Sequence, residues 1–335
     1  MQSHRAVLSV WLILCMLLSV AVSAAAAVPD LDAVLQDMTM EHPWITYSSD
    51  WPANVYSFVH LSDTQWHTAL DPDTYLEQCQ WIADNRSTYN IRFVAHSGDV
   101  VDNMWLQNQW DSAVEGVHIL ENAEIPRMIV AGNHDIDHGS LNYSHFLYYF
   151  NANKYVNNYT DMYVYNDGEA QIQLVPTGNG HTWMFVGLGY YPTNSALKWA
   201  AGIMDKYRQY PAVIVLHDFL DVNGKIDGTG ERVTDALITP FPNTRLVLCG
   251  HNHAAAINEI MFDDDGDGAA DRRVYALLAD YQADSAKGDS NIRLLTISEP
   301  DNQIYVRTYN TLINDFVPED EFILPMDSNW FAEQD

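Results

Sequence analysis

Five short apolar runs in this 335-residue chain each stop at side chains able to hold a metal ion, and that recurrence limits what the chain can fold into. Residues 58–61 lead into Ser62-Asp63-Thr64-Gln65, and 91–95 into His96-Ser97-Gly98-Asp99. Residues 127–131 lead into Gly132-Asn133-His134-Asp135, 212–216 into His217-Asp218, and 245–249 into Gly250-His251-Asn252-His253. Short apolar runs bounded by turn residues read as buried strands. Open α/β sheets bind ligands beyond the carboxyl ends of their strands, so these endings are expected on one rim. Glycines before Asp99, Asn133 and His251 let the backbone turn sharply and approach closely there. Side chains alternate along a strand, so His251 and His253 can enter one site. One such ending alone is noise. Five in succession are a specific signal.

Between the runs lie amphipathic stretches. Residues 74–89 put Tyr75, Cys79 and Ile82 on one helical face. Residues 108–122 carry Trp110, Val114 and Val117, and 195–208 carry Leu197, Ala200, Ala201 and Met204. A further strand is expected over 183–188. After residue 249 the helical period vanishes, and 254–262, 273–279, 291–297 and 303–309 read as consecutive strands of a meander. Strand–helix alternation followed by strands predicts a layered α/β domain. No repeat or low-complexity linker divides it. One catalytic domain is therefore expected over 55–310, after a lead-in at 28–54 and before a C-terminal tail at 311–335. Residues 137–180, crowded with Tyr and Asn, show no clear period. They read either as a lid or binding wall or as a small subdomain burying its own aromatics.

Charge narrows the partners. Acidic residues outnumber basic ones 45 to 16, a formal net charge of -29. Duplex nucleic acid requires a basic footprint, and so does anionic lipid, so large polyanions are excluded as electrostatic partners. A small anionic substrate is not, because bound divalent ions invert the local field. With 47% hydrophobic residues the chain is no disordered polymer, and 3 cysteines make neither a disulfide scaffold nor a Cys-rich zinc module. At the N-terminus Arg5 precedes an apolar run over 6–22, then Ser23 and an alanine tract over 24–27. That is the make-up of a signal peptide over 1–27, with an uncleaved anchor as the alternative. The expected location is exported (secreted, periplasmic or cell surface), with membrane contact only through an uncleaved N-terminus. Cys79 and Cys249 would remain and read as buried thiols, one on a helix face and one at a strand end, with a disulfide between them as the alternative. Asn85, Asn142 and Asn158 head N-x-S/T sequons.

In their order the five endings resemble the motif series of the calcineurin-like metallophosphoesterase superfamily, over about 55–309. More closely they resemble an exported branch whose first motif is Asp-Thr-Gln, with Leu278-Ala279-Asp280-Tyr281-Gln282 after the last motif. The resemblance implies a layered β-sandwich of two mixed sheets flanked by helices, holding two divalent metal ions (Mn, Fe, Zn or Mg). It implies Asp63, Gln65, Asp99 and His253 around one ion. Asp99 would bridge to the second, which Asn133, His217 and His251 complete. His134 would touch the phosphoryl group and protonate the leaving group, with Asp135 orienting it. Gln65 stands where the family usually has His; a neutral oxygen donor makes that position harder and favours Mn²⁺ or Mg²⁺ over Zn²⁺.

Mixed carboxylate, imidazole and amide donors suit first-row divalent ions on chemical grounds alone. Two such ions about 3.5–4 Å apart generate hydroxide near neutral pH and stabilise both oxygens of an in-line displacement. The expected activity is hydrolysis of a small phosphate mono- or diester by metal-bound hydroxide. No G-x-S-x-G supports a serine nucleophile. The alternative is a catalytically silent, calcium-stabilised exported protein on the same scaffold. Calcium enters through Asp263, Asp265, Asp267, Gly268 and Asp271, which fall at positions one, three, five, six and nine of an EF-hand-type loop. Position twelve is Val274 where such a loop uses Glu. The segment is either a structural Ca²⁺ clamp in a hairpin turn or a solvated acidic turn. His96 reads as a hydrogen-bonded strand end, His138 and His145 as loop residues within reach of substrate, and Trp81 and Trp110 as packing.

Overall fold

The apolar runs become strands and the polar residues that stop them become turns. The computed structural model describes residues 51–154, 161–282 and 290–334. The expected signal peptide, most of the lead-in and the sequon at Asn158 lie outside the described residues. In chain order the first half comprises β1 (Val55–Leu61), α1 (Gln65–Leu70), α2 (Pro72–Asp84), β2 (Ile91–His96), α3 (Gln107–Asn122) and β3 (Arg127–Ile129). Then come α4 (Ser144–Phe150), β4 (Met162–Tyr165), β5 (Ala170–Pro176), β6 (Thr182–Leu188), α5 (Asn194–Met204) and β7 (Ala212–Leu216). The remainder is α6 (Gly228–Val233), β8 (Thr244–Cys249), β9 (Ala255–Phe262), β10 (Arg272–Ala279), β11 (Asn291–Ser298), β12 (Gln303–Asn310), β13 (Asp315–Phe316) and β14 (Phe322–Pro325).

Among the described residues these strands form two mixed seven-stranded sheets. One has the order β13-β12-β11-β1-β2-β3, with β14 paired to β12; the other runs β4-β5-β6-β7-β8-β10-β9. Strand alternation explains the layering. In β7, Val213 and Val215 face the space between the sheets, whereas Ala212, Ile214 and Leu216 face the helices outside. A strand buried on both faces must be apolar throughout, which is why these runs lack the polar alternation of a surface strand. Phe58, Phe93, Trp183 and Phe185 fill the inter-sheet core. Tyr75, Cys79 and Ile82 of α2 cover the outer face of the first sheet. The layered α/β sandwich flanked by helices is thus present. Cys79 and Cys249 are free, buried thiols in different clusters.

Four details differ from expectation. The second helix stops at Asp84, five residues before the expected end, because the chain turns back so that the Ile91 amide reaches the Arg86 carbonyl at 2.8 Å. The late strands are not one meander: β9 and β10 pair within the second sheet, whereas β11 pairs β1 and β12 in the first. Apolar runs report burial on both faces but not which sheet receives them.

The described part of 137–180 is not a structureless loop. Tyr143, Phe146 and Phe150 pack with Trp110, and β4 and β5 extend the second sheet. In β5, buried Gln171 and Gln173 donate to the carbonyls of Ile129 and Arg127, both at 3.0 Å. They thereby close the open edge of β3, which would otherwise present unpaired backbone groups. Finally, 311–335 is no simple tail. The strands β13 and β14 pair with β12, and Trp330 and Phe331 are buried in the inter-sheet core.

Candidate metal centre

The five strand endings meet because glycines let them touch. A Cβ on Gly250 would collide with Ser62 Oγ and Asp63 Oδ2, and one on Gly132 would collide with the Asp99 carboxylate. Asp63, Asp99 and His251 themselves take left-handed backbone, with φ of 53°, 54° and 73°. Such conformations cost on the order of 1–3 kcal/mol each in non-glycine residues and persist only where the surroundings enforce them. Here they turn three polar side chains inward.

Asp99 lies at the centre. Its Oδ1 accepts from the His134 amide at 2.8 Å, and its Oδ2 lies 3.2 Å from His217 Nε2. His217 Nδ1 lies 3.0 Å from the Ser97 carbonyl, which can only accept, so Nδ1 carries a proton. In the neutral ring that leaves a bare lone pair on Nε2. This lone pair faces Asp99 Oδ2, Asn133 Oδ1 at 3.0 Å and His251 Nδ1 at 3.2 Å. In the neutral ring Nε2 has no hydrogen to offer Asp99 Oδ2 or Asn133 Oδ1, so three acceptors converge there, with His251 Nδ1 beside them. Asp99, His217 and His251 each offer an atom within 4.8 Å of the others. Asp63 joins through the His251 amide, which lies 3.1 Å from its Oδ2, and accepts from Ser62 Oγ.

The protonation equilibria reflect this crowding. Burial opposes charge on His217, but the Asp99 and Asp63 carboxylates outweigh it and lift the ring to about 10. Burial, then repulsion from Asp280, holds Asp63 well above the usual carboxylate range. Burial also acts to raise Asp99, yet the neighbouring His217 brings it below its ordinary value. Burial and the His217 charge push His251 down to about 4. The carboxylates hold a proton on His217, and a divalent cation supplies the same positive charge from one point. The donor set therefore fits a metal.

The other expected site residues are placed as follows. Gln65 begins α1, is buried, and its Oε1 has no partner among the described residues. His253 is exposed, touches the Gln282 amide through Nε2 and lies edge-on to Trp66 at 6.1 Å. His134 is partly exposed beside a cleft of about 210 Å³ that Asp102, Trp105, Asn133, Asp137 and His138 also line. Its Nδ1 lies 2.7 Å from the Asp102 carbonyl and 3.7 Å from the Asp102 carboxylate.

Asp135 does not orient His134. Its Oδ1 accepts from the amides of Val100 and Val101 at 2.8 and 3.0 Å, and its Oδ2 from Gly132 at 2.8 Å. Burial and the nearby Asp99 raise it to about 7. It ties the second and third motif turns together, and Asp102 takes the place beside His134. Sequence reasoning misses Asp102; its one signal there is its position three residues beyond Asp99 in the same turn.

His96 bridges turns, 3.0 Å from Thr64 Oγ1 and accepting from the Gly98 amide at 3.2 Å, and burial pushes it down to about 3. His138 lines the cleft, and His145 packs on Trp105 at 4.5 Å. Trp110 is core; Trp81 stacks on Tyr309 at 4.2 Å.

The acidic segment forms the β9–β10 hairpin turn. Asp263, Asp265 and Asp267 are exposed and close enough to share an ion. Asp263 accepts from the amides of Gly266, Asp267 and Gly268 at 2.7–3.1 Å. Asp271 stands outside that group and accepts from the Asp264 and Asp265 amides.

Comparison with known proteins fits these findings. A family model described as calcineurin-like phosphoesterase matches residues 56–255. The chain is 31% identical over 282 residues to the uncharacterized protein YvnB of Bacillus subtilis (strain 168), a match covering 82% of this chain and 22% of YvnB. It thus spans about a fifth of the length of that curated relative. Among solved structures it is similar to the purple acid phosphatase PPD1 from yellow lupin (Lupinus luteus) seeds, with a TM-score of 0.55 and 13% identity. That match covers 85% of this chain and 56% of PPD1 and speaks to fold alone. With the matched span running from the first strand through the last motif turn, the chain belongs to the calcineurin-like phosphoesterase family.

Proposed function

We propose that this chain is a binuclear-metal phosphoesterase that hydrolyses small phosphate mono- or diesters, exported under the direction of residues 1–27. The observation that carries the metal assignment is the convergence of Asp99 Oδ2, Asn133 Oδ1 and His251 Nδ1 on His217 Nε2, a bare lone pair in the neutral ring. Asp99 would serve both ions. Asp63, Gln65 and His253 would complete one position, and Asn133, His217 and His251 the other. When bound, the ions supply Lewis acidity at a phosphoryl oxygen and a water made acidic near neutral pH.

The chain's own groups do the rest. The Ser97 carbonyl holds the His217 tautomer that leaves Nε2 free to bind, the usual arrangement behind a metal-binding imidazole. His134 is fixed at its amide by Asp99 and at its ring by the Asp102 carbonyl. With Nδ1 donating, its other nitrogen serves the cleft, where it donates a proton to the leaving oxygen. The Asp102 carboxylate lies 3.7 Å from the same Nδ1. Asp102 and Asp137 in the cleft wall disfavour an anionic leaving group, and exposed Trp105 offers it a flat apolar surface.

The test is turnover of p-nitrophenyl phosphate and bis(p-nitrophenyl) phosphate after Mn²⁺ loading. Hydrolysis of at least one is expected. Inertness on both would overturn the proposed activity, and a chain that takes up no Mn, Fe or Zn and is not rescued by adding them would favour the silent alternative.

A further inference from the structure

The residues Asp280, Tyr281 and Gln282, just beyond β10, are buried with side chains only partly satisfied. Asp280 is 1% exposed and Gln282 5%. Asp280 Oδ1 accepts from the Gln282 amide at 3.1 Å, whereas its Oδ2 has no partner among the described residues. The same holds for Gln282 Oε1, and across the rim for Gln65 Oε1, in a residue 2% exposed. Leaving one buried acceptor unpaired costs about 1–3 kcal/mol. Each such group calls for a partner, since buried polar groups are otherwise almost always paired, and Asp280 is near enough to Asp63 to repel its charge.

Their surroundings say where that partner sits. The Asp280 amide donates to the Ala254 carbonyl at 3.0 Å, fastening the segment to the turn that carries His251 and His253. The Gln282 side-chain amide touches His253 Nε2. Rotating that amide by half a turn exchanges oxygen and nitrogen and sets a second lone pair beside the imidazole. From behind, Tyr281 bonds to Asp320, and Arg293 clamps Asp320 at 2.7 and 2.9 Å while donating to the Leu278 carbonyl at 2.9 Å. The donors therefore sit on a stiff support, as metal-binding groups require.

We propose that Asp280 and Gln282 are additional oxygen donors to the metal position framed by Asp63, Gln65 and His253, and that they make it an oxygen-rich site preferring Mn²⁺ or Mg²⁺ to Zn²⁺. The inference rests on the two-ion reading above. It gives Gln65 a physical context. Where an imidazole is replaced by an amide oxygen, two further oxygen donors raise the donor number and add one negative charge, making the position harder. Carboxylate and carbonyl oxygens suit Mg²⁺ and Mn²⁺, whereas imidazole suits Zn²⁺.

The experiment is equilibrium dialysis of the full chain against Mn²⁺, with bound metal per chain counted by mass spectrometry and circular dichroism checking the fold. Wild type is expected to hold two ions. Asp280→Asn and Gln282→Ala are expected to keep one ion at wild-type affinity and to hold the other about tenfold or more weaker. Gln282→His is expected to shift Mn²⁺/Zn²⁺ competition toward Zn²⁺ by about tenfold. Folded Gln282→Ala and Asp280→Asn that hold two ions with wild-type affinity overturn the inference. Should Asp280→Asn not fold, Gln282→Ala decides alone. A wild-type chain that binds fewer than two ions overturns the two-ion reading itself, and the inference with it.

Discussion

Asp99 and Asp263 both sit in crowded acidic clusters at the ends of strands, and they are solved in opposite ways. Around Asp263 the backbone supplies the donors: amides of Gly266, Asp267 and Gly268 saturate one carboxylate, and water reaches the rest. Around Asp99 the backbone supplies one amide, water is excluded, and the remaining lone pairs face each other. The same residue type is therefore a turn-forming group in one place and an incomplete coordination shell in the other. Burial makes the difference, because a buried charge must find a partner and an exposed one need not.

The largest expected effect breaks the buried cluster. Asp99→Ala should lose both ions and, with them, turnover by a factor of about 10³ or more, given several kcal/mol from metal at about 1.36 kcal/mol per decade. Chelation of wild type should do the same and be reversed by Mn²⁺. Two ions per chain in Asp99→Ala would remove Asp99 from the bridging position.

His134→Ala separates chemistry from metal binding. Bound metal should stay at two ions per chain while kcat falls about 10²–10⁴-fold, the range for loss of a general acid. If metal falls in parallel with kcat, His134 serves the coordination shell and not the leaving group.

Gly250→Ala probes how closely the endings must approach. Its new Cβ meets Ser62 Oγ and Asp63 Oδ2. Overpacking of this kind costs about 1–3 kcal/mol, and displacing Asp63 should weaken one ion more than the other. Thermal denaturation combined with metal counting reads both effects. An unchanged melting temperature with two tightly held ions would show that the rim is looser than its contacts suggest.

The buried cluster is largely legible in the sequence, because each motif is a local strand-to-turn segment and the five endings repeat one pattern. What is not legible depends on chain segments meeting from afar. Asp280 and Gln282 acquire meaning only when β10 lies beside β8, and Asp102 only when its turn meets His134. Gln171 and Gln173 alternate with Ile172 and Leu174 as a strand should, yet two polar residues in an aromatic, Asn-rich region conceal it. Their donors serve carbonyls on the opposite sheet. The C-terminal segment misleads for a related reason: Trp330 and Phe331 look like a ragged end until the inter-sheet core receives them.

The smallest expected effect lies at the acidic turn and completes the contrast. Of the EF-hand-type positions, Asp271 is engaged by two amides, and position twelve is Val274, buried in the apolar layer over the second sheet. Asp263, Asp265 and Asp267 lie close enough together to share an ion, but turn amides already engage each of them and all are exposed to competing water. Asp263→Asn keeps one acceptor oxygen for the Gly266 and Asp267 amides and gives up the exposed bond from Gly268, so stability should change by about 1 kcal/mol at most and turnover not at all. Millimolar Ca²⁺ should move the melting temperatures of wild type and Asp263→Asn alike. A rise confined to wild type would mean that the turn holds calcium. Since an ion at about a hundred times its Kd adds about 2.7 kcal/mol, such a rise would be plain in a melting curve. The two clusters would then differ in the kind of cation they hold, and exposure alone would no longer explain why one is satisfied by its backbone.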